Sequence, residues 1–242
     1  WMIELNGIEL RDEYQKPIHE ISVMHCKEST DPVIISASVG AGKTVNIAAL
    51  AKHVNDLGGS VLVLARQGEL IEQNSKMAWR CGLKNSVYSA SLNSKSTFYP
   101  VVFGTEGTIS RSLTTDFKDR KFNLILIDEA HMVDWQDCLL DEPVTQYGKI
   151  IKQMQANNKN MRIIGYTGSP YRSNESIKGG FWKEQLSDVS TYQLIGLGYL
   201  VSPVFGFGDE SQHYEGLEKF EVSDKQSSDD FSAKQLQAMG RE

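Results

Sequence analysis

The chain has 242 residues, 40% hydrophobic and 23% charged, the balance of a globular protein long enough to bury a sizeable core. Its formal net charge of -6 excludes a uniformly basic surface but leaves room for a local basic patch that neutralises phosphates. Cys26, Cys81 and Cys138 are far apart and odd in number, which argues against a disulfide framework or zinc site. No apolar run approaches the ~18 residues of a membrane span, so a cytoplasmic location is expected.

In chain order, Ile3 to Leu10 mixes apolar and polar residues around Asn6-Gly7, as a small hairpin or loop does. Pro17 suits a helix's first turn, and Ile18, Ile21, Val23 and Met24 continue at helical spacing. Gln15 alone reads as solvated surface. The run Val33-Ile34-Ile35 predicts a strand, Ala37-Ser-Val-Gly-Ala-Gly-Lys-Thr44 a turn, and Val45 to Leu50 a helix that stops at Leu57-Gly-Gly59. Ser60 to Ala65 is apolar throughout, as expected of a strand buried on both faces, and Glu69 to about Arg80 reads as helix.

Val87-Tyr88 and Val101-Val-Phe103 are shorter strand candidates, separated by a Ser- and Asn-rich stretch, Ser89 to Ser96, that reads as loop. Ile109 to Leu113 starts a helix. Phe122 to Ile127 is the strongest strand and runs directly into Asp128-Glu-Ala-His131. Val144 to Met154 is helical, Met161 to Tyr166 a strand, Tyr192 to Leu197 a short helix, and Gly198 to Pro203 a turn into an edge strand. Strands alternating with helices imply a parallel sheet with right-handed crossovers.

The chemistry concentrates in two places. Gly40 and Gly42 let the turn curl so that its amides face an anion, with the positive end of the next helix behind them. Lys43 reaches the outer phosphates of a nucleotide and the Thr44 hydroxyl holds Mg²⁺; Ala37, where glycine is usual, is tolerable if its φ is negative. Asp128 and Glu129 end a buried strand, where ligands of open α/β sheets bind. There Asp128 holds Mg²⁺, partly through water, and Glu129 polarises the attacking water. The arrangement requires the Lys43 turn and the acid pair at the tops of adjacent strands. His131 alone reads as structural.

With these residues in order, the chain resembles the first motor domain of superfamily 2 helicases and translocases of the DEAD/DEAH type. Ala37 to Thr44 resembles motif I, Val61 to Arg66 with Glu69, Leu70 and Gln73 motif Ia, and Gly104-Thr105 with Thr108 motif Ib. Asp128-Glu-Ala-His131 resembles motif II, Thr167-Gly-Ser-Pro170 motif III, and Leu197 to Pro203 the stretch that often ends this domain. Gln15 resembles the glutamine that reads adenine, although Arg11 stands one residue further from it than in the common pattern. The spacing is most similar to bacterial RadD-type helicases.

The resemblance implies a RecA-like P-loop NTPase domain, a mostly parallel sheet with helices on both faces, using ATP and Mg²⁺. Gln15, Val39, Gly40, Ala41, Gly42, Lys43, Thr44 and Val45 would contact the nucleotide, and Lys43, Asp128, Glu129 and His131 would form the catalytic set. His131 with Thr167 and Ser169 would couple nucleotide state to strand movement, and Arg66, Thr105 and Thr108 would line a DNA or RNA track, DNA favoured.

Residues 1–207 are expected to be the ATP-binding domain and 208–242 an acidic linker toward a second RecA-like domain. Nothing after Pro203 resembles that domain's arginine-bearing motifs, so the chain reads as a fragment that binds ATP but turns it over slowly. A motor part of a restriction nuclease and a nucleotide switch that ignores nucleic acid remain open alternatives.

Overall fold

The structure, a computed structural model, describes residues 3–172 and 175–202. Pro203, the proposed boundary at residue 207 and the expected linker at 208–242 lie outside the described residues.

The apolar runs become the strands of one sheet: β1 (Val33–Ala37), β2 (Val61–Ala65), β3 (Ser86–Ser89), β4 (Ser94–Lys95), β5 (Val101–Thr105), β6 (Leu124–Asp128) and β7 (Arg162–Thr167). A two-stranded ribbon, β8 (Tyr171–Arg172) and β9 (Glu175–Ser176), follows, and β10 (Glu184–Val189) returns to the main sheet. The helices are α1 (Gln15–Glu28), α2 (Lys43–Asp56), α3 (Gly68–Arg80), α4 (Glu106–Arg111), α5 (Gln146–Asn157) and α6 (Thr191–Gly196).

The eight-stranded sheet has the order β10-β1-β7-β6-β2-β5-β3-β4, and every pairing is parallel except β3 with β4. Because side chains alternate across a strand, Val33 and Ile35 of β1 point to one face while Ile34 points to the other. The first face packs on α1, α2 and α3 through Ile18, Ile47, Leu50 and Ile71. The second packs on α4 and α5 through Ile109, Ile150, Ile151 and Met154, with Trp182 and Phe122 beside them. Both faces are covered, so the central strands are buried at every position and lack polar alternation. This is the α/β, RecA-like architecture expected.

Several local readings change. Ser89 to Ser96 is not all loop: Asn93 adopts a positive φ of 50°, and Ser94 donates from Oγ to Val87 O at 2.9 Å, folding β4 back on β3. The outer edge on the β1 side is β10 rather than a strand at Gly198 to Pro203, since residues 199–202 form none. Among the described residues no helix is long and apolar enough to cross a membrane.

Candidate functional site

Motifs I, II and III meet at the carboxyl ends of β1, β6 and β7. The loops after β1 and β6 do not top adjacent strands, as the sequence reading required, because β7 lies between them. The separation costs no contact. Lys43 Nζ stands 3.7 Å from Glu129 Oε1, and Thr167-Gly168 from β7 fills the space between the two loops.

The turn after β1 is built as its glycines require. Gly40 and Gly42 take φ of +86° and +79°, while Ala37 has no positive φ and closes β1 in extended backbone. Ala41 N–H donates to Ser38 O at 3.1 Å. α2 starts at Lys43 with no side-chain cap and no acid in its first turn. Val45 N–H donates back to Gly42 O at 3.0 Å, and the Lys43 and Thr44 amides ahead of it stand where an anion would be held. Lys43 Nζ also donates to Ala37 O at 3.2 Å.

Gln15 is not solvated surface. It is 4% exposed at the start of α1, its Nε2 donates to Ala41 O at 3.0 Å, and its Oε1 accepts from Arg11 N at 3.0 Å. Asn46 of α2 donates from Nδ2 to Gln15 O at 2.9 Å. The amide that resembles an adenine reader is thus tied to the phosphate turn by one bond.

At the end of β6, Asp128 is buried, and desolvation holds its carboxyl above the usual aspartate range, with the Glu129 charge adding to the rise. Asn74 Nδ2 donates to Asp128 Oδ2 at 2.7 Å, and Glu129 N donates to Asp128 Oδ1 at 3.1 Å; both bonds favour the ionised form. Glu129 has φ +54°, which turns its side chain between Lys43 and His131, whose Nδ1 is 3.4 Å from Glu129 Oε2. That Nδ1 also lies 2.9 Å from Thr167 Oγ1. Thr167 Oγ1 donates to Ser169 O at 2.8 Å, so its one proton is spent there, and Nδ1–H of His131 is the donor to Thr167.

Two neighbouring carboxylates against one lysine leave an excess negative charge, which suits a divalent cation. Thr44 and Asp128 are the residues that would hold Mg²⁺, and Asn74 and the Glu129 amide leave Asp128 lone pairs for it. Among the described residues no three His, Cys, Asp or Glu side chains cluster to hold a metal by themselves, so such an ion would complete its shell with phosphate and water.

Asn74 was missed in the sequence. The available signal was a polar residue inside the buried stripe Ile71, Asn74, Ser75, Ala78 of α3.

A second cavity of about 400 Å³ lies over the carboxyl ends of β2 and β5, lined by Arg66, Thr105 and Thr108 together with Glu106, Arg111 and Gln146. All three expected track residues therefore share one wall. Arg66 is exposed; the threonine hydroxyls are buried, 2.8 Å from each other, and Thr108 accepts from Ala90 N at 3.1 Å. Arg111 is a second exposed cation there that sequence reading did not single out. Burial raises the Glu106 carboxyl above its ordinary range, and Arg66 partly offsets the rise.

The fold is the α/β, RecA-like form of helicase motor domains. The chain belongs to the family described as "Type III restriction enzyme, res subunit", whose model matches residues 8–172. Among solved structures it is similar in fold to the Type ISP restriction-modification enzyme LlaGI, 17% identical over 79% of this chain and 21% of that one, with a TM-score of 0.57. T4 UvsW is 17% identical over 76% of this chain and 37% of its own, TM-score 0.53. The Sulfolobus solfataricus SWI2/SNF2 ATPase core is 18% identical over 70% and 34%, TM-score 0.52. The chain thus spans between 21% and 37% of the length of these three. No curated protein matches the sequence.

Proposed function

We propose that this domain binds ATP with Mg²⁺ and is the first motor lobe of a nucleic-acid translocase or helicase, DNA favoured. The observation that carries the reading is the approach of Lys43 Nζ to Glu129 Oε1 at 3.7 Å, from opposite sides of β7. A bound triphosphate would part this ion pair, the lysine turning to the outer phosphates and the carboxylate to the water. The α2 amides and Lys43 hold the β- and γ-phosphates, and Gln15 with Arg11 faces the base. Mg²⁺, when bound at Thr44 and Asp128, supplies charge neutralisation on the phosphates. Glu129 orients and polarises the attacking water, and the Nδ1–H bond from His131 to Thr167 links that carboxylate to the end of β7. Hydrolysis at speed would use an arginine from a second RecA-like lobe, worth ~10³–10⁵ in rate.

Arg66 and Arg111 over the Thr105–Thr108 cavity support phosphate contacts with a strand. Filter binding of single-stranded DNA and RNA against salt tests this: Arg66→Ala should weaken binding and reduce the salt slope by about one. ATP binding with no retention of either nucleic acid would instead favour a nucleotide switch. The motif spacing supports a RadD-type helicase, while the family's description supports the motor of a restriction nuclease. Assays of strand separation and of ATP-dependent DNA cleavage separate the two.

A further inference from the structure

We propose that Tyr199 and Leu200 are positioning residues of the nucleotide pocket, Leu200 steadying the phosphate turn and Tyr199 the base-side loop; this rests on the nucleotide reading above. Neither residue belongs to the motifs that carry the chemistry. The path that brings them there begins at β10. Val189, its last residue, accepts from Ser38 N at 2.9 Å, so the strand pairs past the end of β1 and onto the turn itself. α6 follows, anchored by fully buried Leu194. Gly198 at φ +78° then reverses the chain, with Tyr199 N and Leu200 N both donating to Leu194 O at 2.9 and 3.2 Å.

The reversal sets two side chains down on two different parts of the site. Leu200 lies against the bare Cα of Gly40: a Cβ on that glycine would meet Leu200 Cδ2 at 2.9 Å. Tyr199 lies on the segment before α1. Its hydroxyl donates to Glu13 Oε2 at 2.9 Å, its ring meets Tyr14 edge-on at 5.7 Å, and the Arg11 guanidinium sits over it at 4.1 Å. Arg11 is the residue whose backbone N–H holds the Gln15 amide.

The physical consequence is preorganisation. A turn with two glycines at positive φ has many alternative conformations, and each one removed before binding lowers the ordering cost of holding phosphate. A guanidinium packed on a tyrosine face is likewise held in place by the ring's quadrupole. The two contacts are separable, because one bears on atoms that meet phosphate and the other on atoms that face the base.

That separation gives the test. Binding of ATP, GTP and inorganic tripolyphosphate, each with Mg²⁺, is measured by calorimetry on the full chain. Leu200→Ala should weaken all three alike, by ~3–10-fold, and Leu200→Met should restore most of it. Tyr199→Ala should weaken ATP by ~3–30-fold and lower the ATP-over-GTP ratio while leaving tripolyphosphate unchanged, and Tyr199→Phe should keep the ratio. Should an alanine variant prove unfolded by circular dichroism, Leu200→Val and Tyr199→Leu replace it and the same ratios decide. If Lys43→Ala loses ATP while both strap variants bind all three ligands like the parent, the strap proposal fails and the nucleotide reading stands. If Lys43→Ala binds ATP as the parent does, the nucleotide reading fails and takes the proposal with it.

Discussion

Asn74 of α3 donates from Nδ2 to Oδ2 of Asp128 at 2.7 Å, joining the helix that follows β2 to the acid at the end of β6. The bond opposes the desolvation that holds the Asp128 carboxyl high, while the asparagine's own Oδ1 is buried without a partner among the described residues. Asn74→Ala removes the donor and leaves a buried carboxylate less satisfied, at a cost of ~1–3 kcal/mol. The expected outcome is a lower melting temperature and weaker Mg²⁺-dependent ATP binding. Asn74→Asp should be worse near neutral pH and partly recover in acid, where one of the two carboxyls takes a proton. Melting curves of the two variants at several pH values check both.

Glu129 stands between a lysine and a histidine, at 3.7 and 3.4 Å, and this predicts different fates for the two sides of the site. Lys43→Ala should abolish ATP binding, since it removes the cation seated at the turn's mouth. Glu129→Gln keeps the shape, loses the base, and leaves the lysine without its carboxylate neighbour, so ATP should bind at least as tightly. ATP turnover should then fall by ~10²–10⁴-fold. Equal loss of ATP affinity in both variants would mean that the carboxylate holds nucleotide rather than water.

Two glycines of the site should respond oppositely to alanine. At Gly168 an added Cβ would meet Lys43 Nζ at 3.5 Å and Ala37 O at 3.7 Å, ordinary van der Waals contacts, and the backbone there is not in the left-handed region. Gly168→Ala should therefore be nearly silent in stability and ATP affinity. Gly42 has φ +79°, and a Cβ there would lie 2.5 Å from the Gln15 Nε2 already bonded to Ala41 O. Gly42→Ala should cost ~1–2 kcal/mol in backbone energy and displace Gln15, lowering the melting temperature and ATP affinity together. Thermal melts with and without ATP discriminate.

The central strands were legible in the sequence because burial on both faces leaves β1, β2, β5 and β6 almost wholly apolar, with a polar residue only toward the carboxyl end, at Ser36, Thr105 and Asp128. β10 was not. Its residues, Glu-Gln-Leu-Ser-Asp-Val, are mostly half-exposed on a sheet edge, and one polar member, Asp188, is there to accept from Ser36 Oγ at 2.7 Å. The strand order was also hidden, since no local pattern says that β7 separates β1 from β6. Gln15 failed as an isolated letter for the same reason: its partners Ala41 and Asn46 lie 26 and 31 residues away.

The α1–α2 seam carries a pH dependence that the sequence did not suggest. His19, one turn after Gln15, is 4% exposed, with Nε2 3.3 Å from His53 Nδ1 and its own Nδ1 buried without a partner among the described residues. Burial first, then the His53 charge, lowers its pKa to about 4, and burial lowers His53 as well. A histidine whose folded pKa lies below the unfolded value stays neutral in the fold while the unfolded chain takes up the proton. Its contribution is complete above pH ~6.5 and is lost as pH falls from there toward 4, amounting to no more than roughly 3 kcal/mol. His19→Leu fits an apolar seam and has no proton to gain, so it should flatten the decline of melting temperature between pH 7 and 4 while leaving the neutral value close to the parent's. Because α1 also carries Gln15, the parent should lose ATP affinity over the same interval and the variant should retain it. A decline identical in both proteins would place the acid sensitivity elsewhere, in carboxylates such as Asp137, whose bonds to Thr145 and to the Val144 and Thr145 amides hold its pKa low.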